Sequence, residues 1–242
     1  MAVSKTARVT RIAHIGPDAL VVDLCPAEPL TFVGGQYVIV NTQLLSPTGK
    51  GVKRAYSILS QDSEQRHCRL AVKPIPDGPG SGYMFRLQPG AEVLFSGPWG
   101  KCVPREGGDR RTLILATDTG ITAAIGLVQS TRFRSSLPIT TLIWLRESPE
   151  YFLPDLYVRA WIPSRCSAVH IARFPPIGHP DRLAHVRTLL QAWRVASEFG
   201  QVFLSGDGAV NEVVSDDLAA AGWSGDQLPI VESFFNMPKK SQ

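Results

Sequence analysis

Cysteine is scarce in this chain: four in 242 residues, at Cys25, Cys68, Cys102 and Cys166. They are scattered and match neither a disulfide framework nor a Cys-x-x-Cys metal or iron–sulfur spacing, so the chain is expected to carry no cluster of its own. Long apolar runs are missing too. None approaches the roughly 20 residues that cross a bilayer, and residues 1–10 lack the apolar stretch of a secretion signal. The expectation is a cytoplasmic protein with no membrane span. There is no strong excess of one charge, since 25 Lys and Arg face 21 Asp and Glu for a net +4. Basic and aromatic residues do not interleave as nucleic-acid binding requires, so no nucleic-acid partner is expected. The mild positive balance fits a solvated surface or the steering of an acidic protein partner. No G-x-S-x-G elbow is present, which argues against a serine hydrolase. His170, His179 and His185 fall on a strand, a Pro/Gly loop and a helix without ligand spacing, so no metal site is expected. Repeats and low-complexity tracts are absent as well.

What the chain does have is apolar material for two cores, with 44% hydrophobic and 19% charged residues. Up to residue 105, β-rich runs at 7–12, 19–24, 36–41, 55–59, 68–73 and 91–95 are separated by Gly, Pro, Asn, Asp and Ser. That spacing predicts an antiparallel six-stranded β-barrel. One short helix over 81–87, with Ser81 at its N-cap, covers an end and offers an anion site. The polar, breaker-rich stretch 103–110 reads as a linker, dividing the chain into domains 1–105 and 106–242. Beyond it, strand-like runs at 112–117, 139–145, 168–171 and 201–204 alternate with helical stretches at 122–130, 184–197 and 209–221. This rhythm predicts a doubly wound parallel sheet, with ligands beyond the carboxyl ends of its strands.

Arg54-Ala55-Tyr56-Ser57 opens a strand after the basic loop 48–53. Alternation on a strand places Arg54 and Tyr56 on one face and Ala55 and Ser57 on the other. A guanidinium beside a ring suits a planar, phosphate-bearing cofactor; an exposed arginine beside a core tyrosine has the same local pattern. Thr117 to Thr122 follows a strand and precedes a helix, the setting in which Gly120 brings backbone near a pyrophosphate and the Thr119 and Thr122 hydroxyls donate to it.

Arg54-Ala55-Tyr56-Ser57 resembles the R-x-Y-S flavin signature of the ferredoxin–NADP reductase superfamily, and further matches follow in that family's order. These are Gly35-Gln36-Tyr37-Val38, Val72-Lys73, Gly80-Ser81-Gly82, Gly97-Pro98-Trp99-Gly100, Asp118-Thr119-Gly120-Ile121-Thr122, Ser205-Gly206-Asp207-Gly208 and Glu232-Ser233-Phe234-Phe235. The resemblance implies a flavoprotein oxidoreductase that moves a hydride from NADPH or NADH to bound FAD, with FMN the less favoured flavin. Single electrons then pass to a separate acidic carrier: a ferredoxin, a flavodoxin or an oxygenase component. It makes Arg54 a ligand of the flavin phosphates, Tyr56 a platform for the ring system, and Ser57 a hydrogen-bonding partner near its hydride-accepting nitrogen. Val72 and Lys73 fall within the flavin site. Gly80, Ser81 and Gly82 present N–H groups and a hydroxyl to the pyrophosphate, as helix-terminus electrostatics also predicts. Phe234 or Phe235 covers a flavin face. Ser205 and Glu232 lie at the nicotinamide, and Thr117, Thr119, Gly120, Ile121, Thr122, Gly206 and Asp207 line the nucleotide. Arg173, after Ala172, suits a 2′-phosphate.

The sequence also departs from the family. Asp118 stands where it has glycine, Ala123 and Asp207 where it has proline, and Ser205 where it has cysteine. A carboxylate near cofactor phosphates costs affinity unless it turns outward or meets Arg146 or Arg173. Two alternatives follow: a reductase that releases free flavin as product, and a flavin-bearing relay subunit that has lost pyridine-nucleotide use.

Overall fold

A computed structural model of the protein describes residues 4–17, 19–105 and 110–234. The first part holds β1 (Lys5–Ile15), β2 (Ala19–Pro26), β3 (Tyr37–Leu45), β4 (Gly51–Ser57), β5 (Cys68–Val72), α1 (Pro79–Phe85) and β6 (Glu92–Trp99). These strands form one antiparallel six-stranded sheet in the order β4-β3-β6-β1-β2-β5. Its core gathers Leu20, Val22 and Leu24 of β2 with Val38, Val40, Leu70, Phe95 and Met84 of α1. The hairpin of β3 and β4 is longer than the sequence pattern implies, because Asn41 pairs with Lys53 and Leu45 with Gly51 on either side of an irregularity.

The second part holds β7 (Thr112–Thr117), α2 (Ile121–Val128), β8 (Thr140–Arg146), α3 (Asp155–Trp161), β9 (Ala168–Arg173), α4 (Arg182–Ala192), α5 (Val195–Glu198), β10 (Gln201–Asp207), α6 (Gly208–Ala220) and β11 (Ile230–Phe234). The parallel sheet runs β11-β10-β7-β8-β9. Every residue of β7 and β8 is buried, as strands covered on both faces must be. One face packs on α2; the other packs on α4 and α6.

The two sheets share a core. Ile15, Val21, Leu59 and Cys102 from the barrel side lie in one apolar cluster with Ile121, Ile125 and Leu127 of α2, whose every residue is buried. Contact is close enough that a side chain at Gly126 would place its Cβ 2.2 Å from the carbonyl oxygen of Ile58. A buried aspartate fixes the join. Asp62 accepts hydrogen bonds from the Gly34 N–H (3.1 Å), the Ser130 hydroxyl (2.6 Å) and the Thr131 N–H (2.8 Å). Burial alone would raise its pKa, but these donors hold it below the ordinary carboxylate value.

Candidate functional site

The barrel half of the site is built on β4. Its register sets Ser57 opposite Tyr37 and Arg54 opposite Val40. Exposure along it is graded rather than alternating: Lys53, Arg54 and Ala55 are exposed, Tyr56 is half-buried and Ser57 is buried. Tyr56 packs against the barrel core, and burial pushes its hydroxyl up to about 12, with Arg54 opposing. Ser57 is 3% exposed, yet its Oγ finds no hydrogen-bond partner. An unpaired buried hydroxyl costs about 1–3 kcal/mol, so an atom left in that state points to a ligand that pairs with it.

Arg54 lies across the start of α1. A Cβ at Gly80 would fall 2.3 Å from Arg54 Cγ, so only glycine lets the stem pass, and the guanidinium donates to the Lys53 carbonyl (2.8 Å) at the surface. The helix begins earlier than the sequence pattern indicates, with Gly78 as N-cap and Pro79 in its first turn. Ser81 is therefore not the cap. Its hydroxyl donates to the Gly78 carbonyl (3.1 Å) and accepts from the Ile75 N–H (3.1 Å), so it braces the 75–78 turn instead of standing free for a phosphate. The Val72 side chain is buried in the barrel core, and Lys73 Nζ lies 4.6 Å from the ring of Tyr151 in the other domain.

The nucleotide half gathers at the carboxyl ends of β7, β10 and β11. Both motif glycines there answer to packing between strands. A Cβ at Gly120 would meet the Ser205 carbonyl oxygen at 2.2 Å; at Gly206, where φ is +121°, it would meet the Thr117 carbonyl oxygen at 2.2 Å. The Thr117 hydroxyl accepts from the Asp207 N–H (2.8 Å), and the Thr122 hydroxyl donates to the Thr119 carbonyl (2.9 Å). Ser205 is 2% exposed and donates to the Gly120 carbonyl (3.0 Å). Its hydroxyl proton is thus committed to the loop. Ile121 is a core residue. Thr119 is half-buried, as is Phe234, which pairs in register with Asp207; Phe235 lies outside the described residues.

Glu232 joins the two halves. It pairs with Ser205 on the sheet, while a Cβ at Gly100 would lie 3.1 Å from its Oε2 and equally close to the ring of Tyr37. Ser57, in register with Tyr37, and Glu232, which shares the Gly100 contact with the Tyr37 ring, thus come from the two domains toward one tyrosine. Burial pushes the Glu232 carboxyl up to about 7. The edge strand carrying it is pinned by the buried Asn211, which donates to Ser233 Oγ (3.1 Å).

The partner of Asp118 is neither Arg146 nor Arg173. Arg146 is buried over Trp144, pairs with Asp155 and donates to the Pro149 carbonyl (2.8 Å), so it braces a loop and is not free for a phosphate. Arg173 is exposed at the end of β9. Asp118 pairs instead with Arg182, a residue that no local sequence pattern marks.

A six-stranded barrel carrying a buried, unpartnered serine and an exposed arginine thus packs against a five-stranded parallel sheet. Residues 7–103 match the family of oxidoreductase FAD-binding domains. Among curated relatives, ferredoxin–NADP reductase B of Sorangium cellulosum is 42% identical over 91 residues, covering 38% of this chain and 36% of the relative. The reductase subunit of an Amycolatopsis aromatic O-demethylase is 32% identical over 130 residues, covering 52% of this chain and 37% of the relative. The chain thus spans little more than a third of either. In fold it is similar to a Neisseria gonorrhoeae ferredoxin NADP+ reductase solved with FAD and NADP, at TM-score 0.76 and 17% identity over 97% of this chain and 100% of that one. The ferredoxin reductase of carbazole 1,9a-dioxygenase superposes at TM-score 0.75 with 20% identity, covering 96% of this chain and 70% of that one. Among the described residues no helix is long and apolar enough to cross a membrane.

Proposed function

We propose that the chain is an FAD-dependent reductase that draws on NADH or NADPH and delivers single electrons to a separate acidic acceptor, a ferredoxin-like protein or an oxygenase component. Residues 1–105 bind the flavin in this reading, and 106–242 the nucleotide. The observation that carries it is the buried, unpartnered Ser57 hydroxyl on β4, in register with Tyr37 of β3, while Glu232 of the other domain and the Tyr37 ring both close on Gly100. FAD, when bound, supplies the acceptance of a hydride and the release of single electrons.

The protein's residues bind and orient. Arg54 offers an exposed guanidinium to the flavin phosphates, its stem passing over Gly80 in the first turn of α1. The ring of Tyr56 lies alongside. The Ser57 hydroxyl would hydrogen-bond to the flavin ring system. Burial raises the Glu232 carboxyl to about 7, so this residue can take up or give up a proton at the domain seam near neutral pH. The Asp62 clamp and the α2 packing fix the separation of the two binding halves, which matters because hydride transfer fails when reacting atoms are misplaced by about 1 Å. Lys50, Lys53 and Arg54 expose a basic hairpin edge next to this site, a surface suited to an acidic carrier.

The test is anaerobic titration of the FAD-loaded protein with NADH and with NADPH, followed at the flavin absorbance band. Stoichiometric bleaching is expected. A flavin that stays bound and oxidised with both donors would sink the reductase reading in favour of a relay subunit, and flavin lost on gel filtration would favour release of free reduced flavin.

A further inference from the structure

Arg182, the first residue of α4, is 3% exposed and reaches the carboxyl edge of the parallel sheet. Its guanidinium pairs with the Asp118 carboxylate just after β7, and its Nε donates to Asp207 Oδ2 at the end of β10 (2.8 Å). Another arm donates to the Pro175 carbonyl, and the plane lies 4.2 Å from the ring centre of Phe174. In a sheet of this kind anionic ligands settle beyond these strand ends, and a buried arginine there is the natural counter-charge for a phosphate. Here two carboxylates already hold that arginine, which leaves the cluster with a net negative charge.

The arrangement is fixed by the backbone. Asp118 sits at φ +53°, a left-handed conformation that Asp, Asn and Gly adopt with least strain. Trp144 Nε1 donates to its carbonyl oxygen (2.8 Å), so the side chain is held toward Arg182. Asp118 is 2% exposed, and burial pushes its carboxyl up to about 6 against the pull of Arg182, with Asp207 and Glu147 adding to the rise. A phosphate arriving at Arg182 therefore meets a carboxylate that is already costly to keep there.

We propose that Asp118 is the determinant that weakens nucleotide binding in this chain: it holds Arg182 as an internal counter-ion, so a phosphate-bearing nucleotide gains the arginine only by displacing a carboxylate. The proposal rests on the reductase reading, and it ranks ligands by charge. NADP+ is penalised more than NAD+, and NAD+ more than adenosine.

The experiment is calorimetric titration of the FAD-loaded protein with NAD+, NADP+ and adenosine, comparing wild type with Asp118→Asn and Asp118→Gly, both compatible with the left-handed backbone. Each variant is expected to bind NAD+ about tenfold more tightly and NADP+ by a larger factor, with adenosine unchanged; adding Arg182→Gln abolishes the gain. Equal or weaker NADP+ binding in both variants overturns the proposal, and if NADH still bleaches the flavin the reductase reading survives that result. No nucleotide binding by any of the proteins, with the flavin left oxidised by NADH, defeats the reductase reading and this inference together. If Asp118→Asn fails to retain FAD, the glycine variant decides.

Discussion

Replacing Asp62 by alanine tests how the two halves are held in register. The carboxylate is 8% exposed and serves three donors: the N–H of Gly34, the hydroxyl of Ser130 and the N–H of Thr131. Thr131 is exposed, so water can replace the lost acceptor there, whereas Gly34 and Ser130 are buried and stay unpaired. Two buried donors at about 1–3 kcal/mol each give a loss near 4 kcal/mol as a central value. Asp62→Asn keeps one acceptor oxygen and should lose about half as much. Because the folded pKa of Asp62 lies below its ordinary 3.8, its contribution is present above that pH and disappears as pH falls through the lower folded value. Urea unfolding followed by tryptophan fluorescence gives the stabilities, and stopped-flow bleaching by NADH gives the transfer rate. Hydride transfer should slow in both variants even where FAD stays bound. A stability loss under about 1 kcal/mol in the alanine variant, with an unchanged transfer rate, refutes the clamp.

Three further outcomes follow from the site. Ser57→Ala removes a hydroxyl that has no partner in the protein, so the FAD-free form should be as stable as wild type or more so, while FAD binding weakens roughly tenfold, read by flavin fluorescence quenching. Gly80→Ala forces the Arg54 stem aside, since the new methyl falls 2.3 Å from its Cγ; FAD affinity should drop with little change in melting temperature because the displaced group is a flexible, exposed side chain. Glu232, raised by burial from 4.5 to about 7, stabilises the fold fully below pH 4.5 and loses that contribution as pH rises through about 7. Glu232→Gln should therefore flatten the decline in melting temperature between those values, and an unchanged profile rules out this carboxyl as its source.

What the sequence revealed and what it concealed divide along chain separation. Arg54-Ala55-Tyr56-Ser57 is contiguous, so the barrel side of the site could be read from four neighbouring letters, and the apolar runs of β7, β8 and β10 carried the parallel sheet because strands covered on both faces need them. The short α3 and the edge strand β11 were missing from the predicted elements, since neither carries a continuous apolar run and β11 is held partly by Asn211 from α6. At Gly120 and Gly206 neighbouring backbone by itself requires glycine, a demand that spacing cannot tell from a ligand's. The largest gap is Arg182. It stands 64 residues from Asp118 and 25 from Asp207, in a stretch whose composition resembles any surface helix start. Local patterns rank a charged residue as solvated; only the fold turns this one inward. The departure of Asp118 from glycine was legible, and so was its cost near a phosphate, but the sign of its effect depends on which cation it meets. Arg146 or Arg173 would have left the strand ends free to bind phosphate. Pairing with Arg182 uses up the buried cation there, so the same substitution becomes a restraint on nucleotide affinity.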